Sequence, residues 1–229
     1  MTTAIILAAG KSERMGENLD KAFVALGPRP VVAWSLLAFQ QCADIGRIVL
    51  VVRREQLVAA KGIVNMFGLS KVAQIIPGGA RRQDSVMRGL EAADPDSRFI
   101  AIHDGARPCV TPELVSAVLQ SARKHGSGVA ATRVTDTLKT ADRGANITGT
   151  VERANTWAVQ TPQAFKADLL RRAYAGLGKD KAEVTDDAAA VALLPDAPAL
   201  KLVEWNKPNL KITIVEDLSI AAALLRIHG

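Results

Sequence analysis

Short runs of branched apolar residues recur along this chain, and each is followed by a stretch with helical spacing. The runs lie at residues 4–7, 47–52, 72–76, 99–102 and 128–132. Between them, residues 31–41, 55–67, 80–93 and 112–125 read as helices. Ala33, Trp34, Leu37 and Ala38 share one helical face, as do Val86, Leu90 and Ala93. Strands that are continuously apolar must be covered on both sides. The pattern therefore implies an α/β chain with one mainly parallel sheet and helices on both faces. Thr111-Pro112-Glu113 is a helix start, with a hydroxyl at the N-cap and proline at the first helical position.

The sequence has 229 residues, which suits one domain spanning 1–229 with ample length for a core. Its 48% hydrophobic and 23% charged residues are those of a soluble globular protein. No apolar run reaches the ~18 residues of a membrane span. No basic flank precedes a signal-like stretch, so a cytoplasmic location and no membrane partner are expected. Cys42 and Cys109 lack C-x-x-C spacing and read as reduced, buried thiols. The net charge of +6 permits a polyanionic partner. Aromatics at 4% are too few for base-stacking platforms, so nucleic acid is not expected, and an anionic small substrate explains the charge equally well.

The alternation breaks at residues 133–155. Residues 134–139 alternate like a strand, 142–146 form a turn, and 147–153 return. Such a hairpin has little apolar surface of its own, and a second subunit is its expected support. The chain resumes with a strand at 157–160, helices from Lys166 and from Asp186, strands at 199–204 and 210–214, and a last helix at 216–227.

Open parallel sheets bind ligands at the carboxyl ends of their strands. Three segments at such ends carry chemistry. The first, Ala8-Ala9-Gly10-Lys11-Ser12-Glu13-Arg14-Met15-Gly16 with Lys21, is a small-residue loop with cations, suited to phosphate. It is neither a Walker loop, since Ile5 stands where the first glycine belongs, nor a G-x-G-x-x-G turn, since Ser12 and Met15 occupy the later glycine positions. The second, residues 77–86, joins the turn Gly78-Gly79 to a helix start, with Asp84 or Ser85 able to cap it. The third, His103-Asp104-Gly105-Ala106-Arg107-Pro108, sets a carboxylate beside an arginine. That suits a magnesium ligand next to an anion, or a plain Asp104–Arg107 ion pair. His103 reads either as a base or as a buried histidine satisfied by the backbone.

Together these segments resemble the 2-C-methyl-D-erythritol 4-phosphate cytidylyltransferases across essentially the whole chain. Asp136-Thr137-Leu138-Lys139, Gln160-Thr161-Pro162-Gln163-Ala164-Phe165, Thr185-Asp186-Asp187 and Asn209-Leu210-Lys211-Ile212-Thr213 complete the ordered set. The resemblance implies a Rossmann-like nucleotidyltransferase fold of the GT-A type with a protruding β-arm at about 133–155. It implies transfer of CMP from CTP to the acceptor phosphate, with Mg²⁺ or another divalent cation as cofactor, in isoprenoid precursor synthesis. It assigns Arg14, Lys21, Arg153 and Lys211 to catalysis, and Ala8, Ala9, Gly10, Gly79 and Ser85 to the nucleotide. It assigns Asp104, Arg107, Thr137 and Thr161 to the second substrate, Asp104 also to the metal. It further implies a homodimer in which the arm brings Arg153 into the partner's site.

The implied chemistry suits these residues. A phosphate oxygen attacks the α-phosphorus of CTP in line and pyrophosphate leaves, so positioning and charge neutralisation suffice without a strong base. Asp20 stands where the family usually has proline before the lysine, and an acidic neighbour there is expected to weaken the local positive field. Ala80 removes one possible side-chain contact to the base. Two alternatives are a D-ribitol 5-phosphate cytidylyltransferase and a nucleotide-binding module without turnover. Some relatives carry a fused second enzyme; none is expected here, because the sequence ends at Gly229.

Overall fold

In the computed structural model the described residues are 1–10, 15, 20–180 and 183–227, with the side chains of 178–180 also set aside. The chain opens with β1 (Thr2–Ala8), the short pair β2 (Ala25–Leu26) and β3 (Arg29–Pro30), and α1 (Val31–Gln41). There follow β4 (Arg47–Val52), α2 (Leu57–Met66), β5 (Val72–Pro77), α3 (Arg82–Ala92), β6 (Phe99–Asp104), α4 (Pro112–His125) and β7 (Ser127–Arg133). The hairpin is β8 (Lys139–Ala141) and β9 (Ile147–Thr150). The last part holds β10 (Trp157–Lys166), α5 (Ala167–Asp180), α6 (Asp187–Ala192), β11 (Leu202–Glu204) and α7 (Glu216–Leu224).

Seven strands form the main sheet in the order β11-β7-β10-β6-β1-β4-β5. All neighbours are parallel except β10, which runs antiparallel to both β6 and β7. Alternate residues of the central β1 feed opposite layers. Ala4, Ile6 and Ala8 pack with α1, α2 and α4, while Ile5 and Leu7 pack with α3, α5 and α6. Every residue of β1 is buried. Each fully buried Ile or Leu of this kind contributes about 1.5–3 kcal/mol relative to exposure. α3 lies so close to β1 that a Cβ on Gly89 would come within 2.5 Å of Ile5. α4 starts as expected, with Pro112 at its first turn and the Thr111 hydroxyl accepting from the Leu114 N–H, and ends on Gly126 at φ 86°. Both cysteines are free and buried. Among the described residues no helix is long and apolar enough to cross a membrane.

Four strand expectations change. On the arm, the alternating residues 134–138 form no strand, and the first arm strand is β8 at Lys139–Ala141. Residues 210–214 form no ladder. They are an extended strap in which Ile212 is buried and its N–H donates to the Ala106 carbonyl at 2.8 Å. The alternation Leu210, Ile212, Ile214 therefore reflects one buried side chain, with Ile214 exposed. The strand expected at 157–160 instead continues to Lys166. A register shift between Val159 and Gln163 accommodates Pro162 without a ladder hydrogen bond. At the other edge, β11 begins at Leu202 rather than at 199.

Candidate functional site

The parallel strands β1, β4, β5 and β6 end together: Leu7 pairs with Asp104, Ala8 with Val52, and Val52 with Pro77. The segments following β1, β5 and β6 meet above this edge. They line a pocket with Leu7, Ala8, Ala9, Gly10, Asp20, Lys21, Ala22, Gly79, Ala80, Arg81, Arg82, Ser85, Asp104, Ala106 and Lys211. Of the residues the sequence singled out, Ala8, Ala9, Gly10, Lys21, Gly79, Ser85, Asp104 and Lys211 thus share one cavity. Arg14 lies outside the described residues.

The turn after β5 is tightly built. The Ser85 hydroxyl accepts from the Gly79 N–H at 3.1 Å and donates to the Arg81 carbonyl at 3.2 Å. Asp84, at the third position of α3, accepts from the Arg81 N–H at 3.1 Å and pairs with its guanidinium at 2.8 Å, so Asp84 is the capping residue. A Cβ on Gly78 would meet the Ala9 Cβ at 2.4 Å and Ser85 Oγ at 2.7 Å. Gly78→Ala is therefore expected to lose about 1–3 kcal/mol of stability by overpacking. Because the clash pushes on two segments that line the pocket, affinity for the pocket's ligand should fall about tenfold, one tenfold step corresponding to about 1.4 kcal/mol. Thermal melting and binding calorimetry check both.

Asp104 is the electrostatic hub. Lys211 Nζ lies 2.7 Å from its Oδ2, Arg82 Nε 3.4 Å from its Oδ1, and Arg107 Nε 3.9 Å from Oδ2. Burial works to raise its pKa, but Arg82, Lys211 and Arg107 outweigh this and hold it well below the usual carboxylate range. The Asp104–Arg107 ion pair is thus one of three around this carboxylate. The strap places Lys211. Asn209 donates from Nδ2 to Gln160 Oε1 at 2.9 Å and to the Thr161 carbonyl at 2.8 Å, while its own carbonyl accepts from Arg107 Nη1 at 2.8 Å.

Thr161 and His103 stand behind the pocket. The Thr161 hydroxyl accepts from the Asp104 N–H at 3.0 Å and lies 3.1 Å from His103 Nδ1; His103 Nε2 lies 3.4 Å from the Arg107 carbonyl. A carbonyl on the Nε2 side makes Nε2–H the donor, so Nδ1 accepts from Thr161. Burial pushes the His103 pKa down to about 3, which keeps the ring neutral. Of the two readings of His103, the buried, satisfied histidine is the one present.

Asp20 does not act as an unmatched negative charge. Its Oδ2 pairs with Arg53 at 2.8 Å and its Oδ1 accepts from the Ala22 N–H at 3.2 Å, so it shapes the turn while Arg53 balances it. This differs from the expected weakening of the local field.

The hairpin at 133–155 rises from the carboxyl end of β7, the same edge as the pocket. Its two strands share no ladder with the main sheet. Leu138 and Ile147 are exposed on it. Thr137 and Arg153 lie on this arm, outside the pocket lining, and Arg153 Nη1 donates to the Thr135 carbonyl at 2.8 Å. Within one chain, therefore, these two residues are not brought to Lys211. At the base of the arm, Arg133 stacks on Trp157 at 4.4 Å and pairs with Glu204 at 3.3 Å. Sequence reasoning assigned no role to Arg82 or Asn209. Both stood inside quoted motifs, but their partners, Asp187 and Gln160, are distant in the chain.

The arrangement collects cations around one carboxylate beside a small-residue loop. Among the described residues no cluster of three metal-ligating side chains accompanies it. Such a site suits an anion-rich ligand and phosphoryl chemistry. Comparison with known proteins agrees. The family model for 2-C-methyl-D-erythritol 4-phosphate cytidylyltransferase matches residues 2–227. The cytidylyltransferase of that name from Pelotomaculum thermopropionicum is 39% identical over 97% of this chain and 93% of its own. The one from Dehalococcoides mccartyi is 41% identical over 97% and 95%. Among solved structures, 4-diphosphocytidyl-2C-methyl-D-erythritol synthase from Anaerococcus prevotii superposes with a TM-score of 0.86 at 30% identity, covering 98% of this chain and 96% of that one. A match that spans the sheet, the pocket and the arm in one continuous alignment leaves one conclusion: the chain belongs to the 2-C-methyl-D-erythritol 4-phosphate cytidylyltransferase family.

Proposed function

We propose that this chain transfers the cytidylyl group from CTP to 2-C-methyl-D-erythritol 4-phosphate, releasing pyrophosphate, as a step toward isoprenoid precursors. The observation that carries the reading is the convergence of Lys211, Arg82 and Arg107 on Asp104 beside the Ala8–Ala9–Gly10 and Gly79–Ser85 segments. An oxygen of the acceptor phosphate forms a bond to the α-phosphorus of CTP as the bond from that phosphorus to the β-phosphate bridging oxygen breaks. Arg14 and Lys21 stabilise charge on the nucleotide phosphates, and the turn holding Gly79 and Ser85 receives the cytosine. Lys211, with Arg153 of a second copy, aims the acceptor dianion. Thr137, on the same arm of the second copy, serves the same acceptor in this proposal, while Arg107 and Thr161 hold Asp104 from behind.

A Mg²⁺ ion fits one corner of this site. Mg²⁺ keeps several waters and takes one or two carboxylates plus substrate phosphates. Asp104, with Lys211 still beside it, is the carboxylate that would hold it, since Asp20 is engaged by Arg53. When bound, the ion neutralises charge on the triphosphate. The working form in this proposal is a homodimer in the cytoplasm, which gives the exposed arm a partner.

Pyrophosphate release with CTP and Mg²⁺ tests the reading, with 2-C-methyl-D-erythritol 4-phosphate and D-ribitol 5-phosphate offered in parallel. Release is expected with the methylerythritol phosphate. Release with ribitol phosphate alone would move the acceptor, and CTP binding without release from either would overturn the activity.

A further inference from the structure

The Thr185-Asp186-Asp187 segment has no part in the chemistry above, yet one of its carboxylates reaches the pocket through a single side chain. Asp187 opens α6 and is completely buried. Its carboxylate accepts from Tyr174 Oη at 2.5 Å and, in a two-pronged contact, from Arg82 Nη1 at 3.1 Å and Nη2 at 2.7 Å. The remaining nitrogen of Arg82, Nε, faces Asp104 Oδ1 at 3.4 Å, while Asp104 Oδ2 holds Lys211 at 2.7 Å. The neighbouring Asp186 caps α6, accepting from the Ala189 N–H at 2.7 Å, and also accepts from Gln163 on β10 at 3.1 Å, so the position of Asp187 is fixed by the fold.

An unbroken line of hydrogen bonds and ion pairs thus runs from the helix layer behind the sheet into the pocket: Tyr174, Asp187, Arg82, Asp104, Lys211. Asp187 is fully buried and Arg82 partly so, and such a pair adds little stability over well-packed apolar residues, so its presence calls for another account. A guanidinium is a rigid planar fork. With two of its nitrogens gripped by Asp187, the direction of the third is set, and with it the orientation of the Asp104 carboxylate. We propose that Arg82 is a positioning residue for the acceptor side of the reaction: locked from inside the core by Asp187 and Tyr174, it orients Asp104 and thereby Lys211. This rests on the function proposed above. The nucleotide side stands on separate contacts, those of Ser85 to Gly79 and Arg81, and does not depend on the lock.

The test compares the wild-type chain with Asp187→Asn, Arg82→Lys and Tyr174→Phe. Folding is checked by thermal melting, CTP affinity by calorimetry, and kinetics by varying the acceptor at saturating CTP. A misplacement of about 1 Å at a reacting centre can cost up to about a hundredfold in rate. Asp187→Asn and Arg82→Lys should lower kcat/KM for the acceptor at least about tenfold per folded molecule while the Kd for CTP stays within about threefold. Lysine keeps the charge but not the fork, so it should fail to rescue. Tyr174→Phe leaves the fork in place and should lose only about two- to threefold. Equal losses on both substrates, or lower melting with unchanged kinetics, would reduce the line to a structural role and overturn the proposal, as would a fully active Arg82→Lys. If Asp187→Asn does not fold, the other two variants decide. Absence of turnover in the wild-type chain would instead bring down the proposed function first, and this inference with it.

Discussion

Lys211→Ala is expected to lower kcat/KM for the acceptor about a hundredfold, a loss of about 2.7 kcal/mol, because it removes the point charge that the partly exposed Lys211 brings to the acceptor dianion. The KM for CTP should change less than about threefold, because the nucleotide segments are built from backbone turns that Lys211 does not support. The asymmetry follows from the strap. Residues 209–212 are tied down by Asn209 and by the Ile212 N–H, so Lys211 is delivered to Asp104 at 2.7 Å by a backbone that stays in place when the side chain goes. Asp104 keeps Arg82 and Arg107 in the variant, so the carboxylate is not left unpaired. Initial rates over a grid of both substrates read the split directly. A variant with nearly normal turnover and acceptor KM would remove Lys211 from the acceptor site.

The second large effect concerns the arm. Arg153→Ala is expected to be nearly as damaging as Lys211→Ala, although Arg153 lies outside the pocket of its own chain. When the two variants are co-expressed and exchange subunits, half the dimers are mixed. If each arm serves the neighbouring pocket, a mixed dimer has one site with both defects and one with neither. Activity should then recover to about a quarter of wild type for a two-fold symmetric dimer with random pairing. If each arm serves its own pocket, both sites of the mixed dimer carry one defect and nothing is regained. Rates of the mixture, together with light scattering of each protein alone, separate the two cases, and a fully active monomer would end the dimer proposal. The motive is physical: a two-stranded hairpin is marginal by itself, and this one exposes Leu138 and Ile147.

Where the sequence was legible, one local rule sufficed. β1, β4 and β6 are buried on both faces, so nothing competes with the continuous apolar signal. α4 carries its own start and stop in Thr111-Pro112 and Gly126. The pocket residues Ala8, Gly79, Asp104 and Lys211 were legible as motif members. What was missed depended on contacts between distant positions. Residues 210–214 alternate like a strand, but among the described residues no neighbouring strand pairs with them. The sequence reading ends this strand at Gln160, and only the register shift shows how Pro162 is tolerated in the ladder. Arg82 carried no role in the sequence, whereas Asp187, one hundred and five positions later, grips its guanidinium from the core.

Arg133 and Trp157 are partners in the same rung of the β7–β10 ladder. The chain therefore leaves the sheet and re-enters it at a single step, and the 23 residues between are a detour that the core never senses. Lineages can lengthen, shorten or re-decorate that detour while the hydrophobic layers stay as they are. Partner choice and acceptor preference can then drift on one timescale and the scaffold on another. The same arrangement offers protein engineers a socket: a loop of new specificity can be spliced between the two residues without renegotiating the fold.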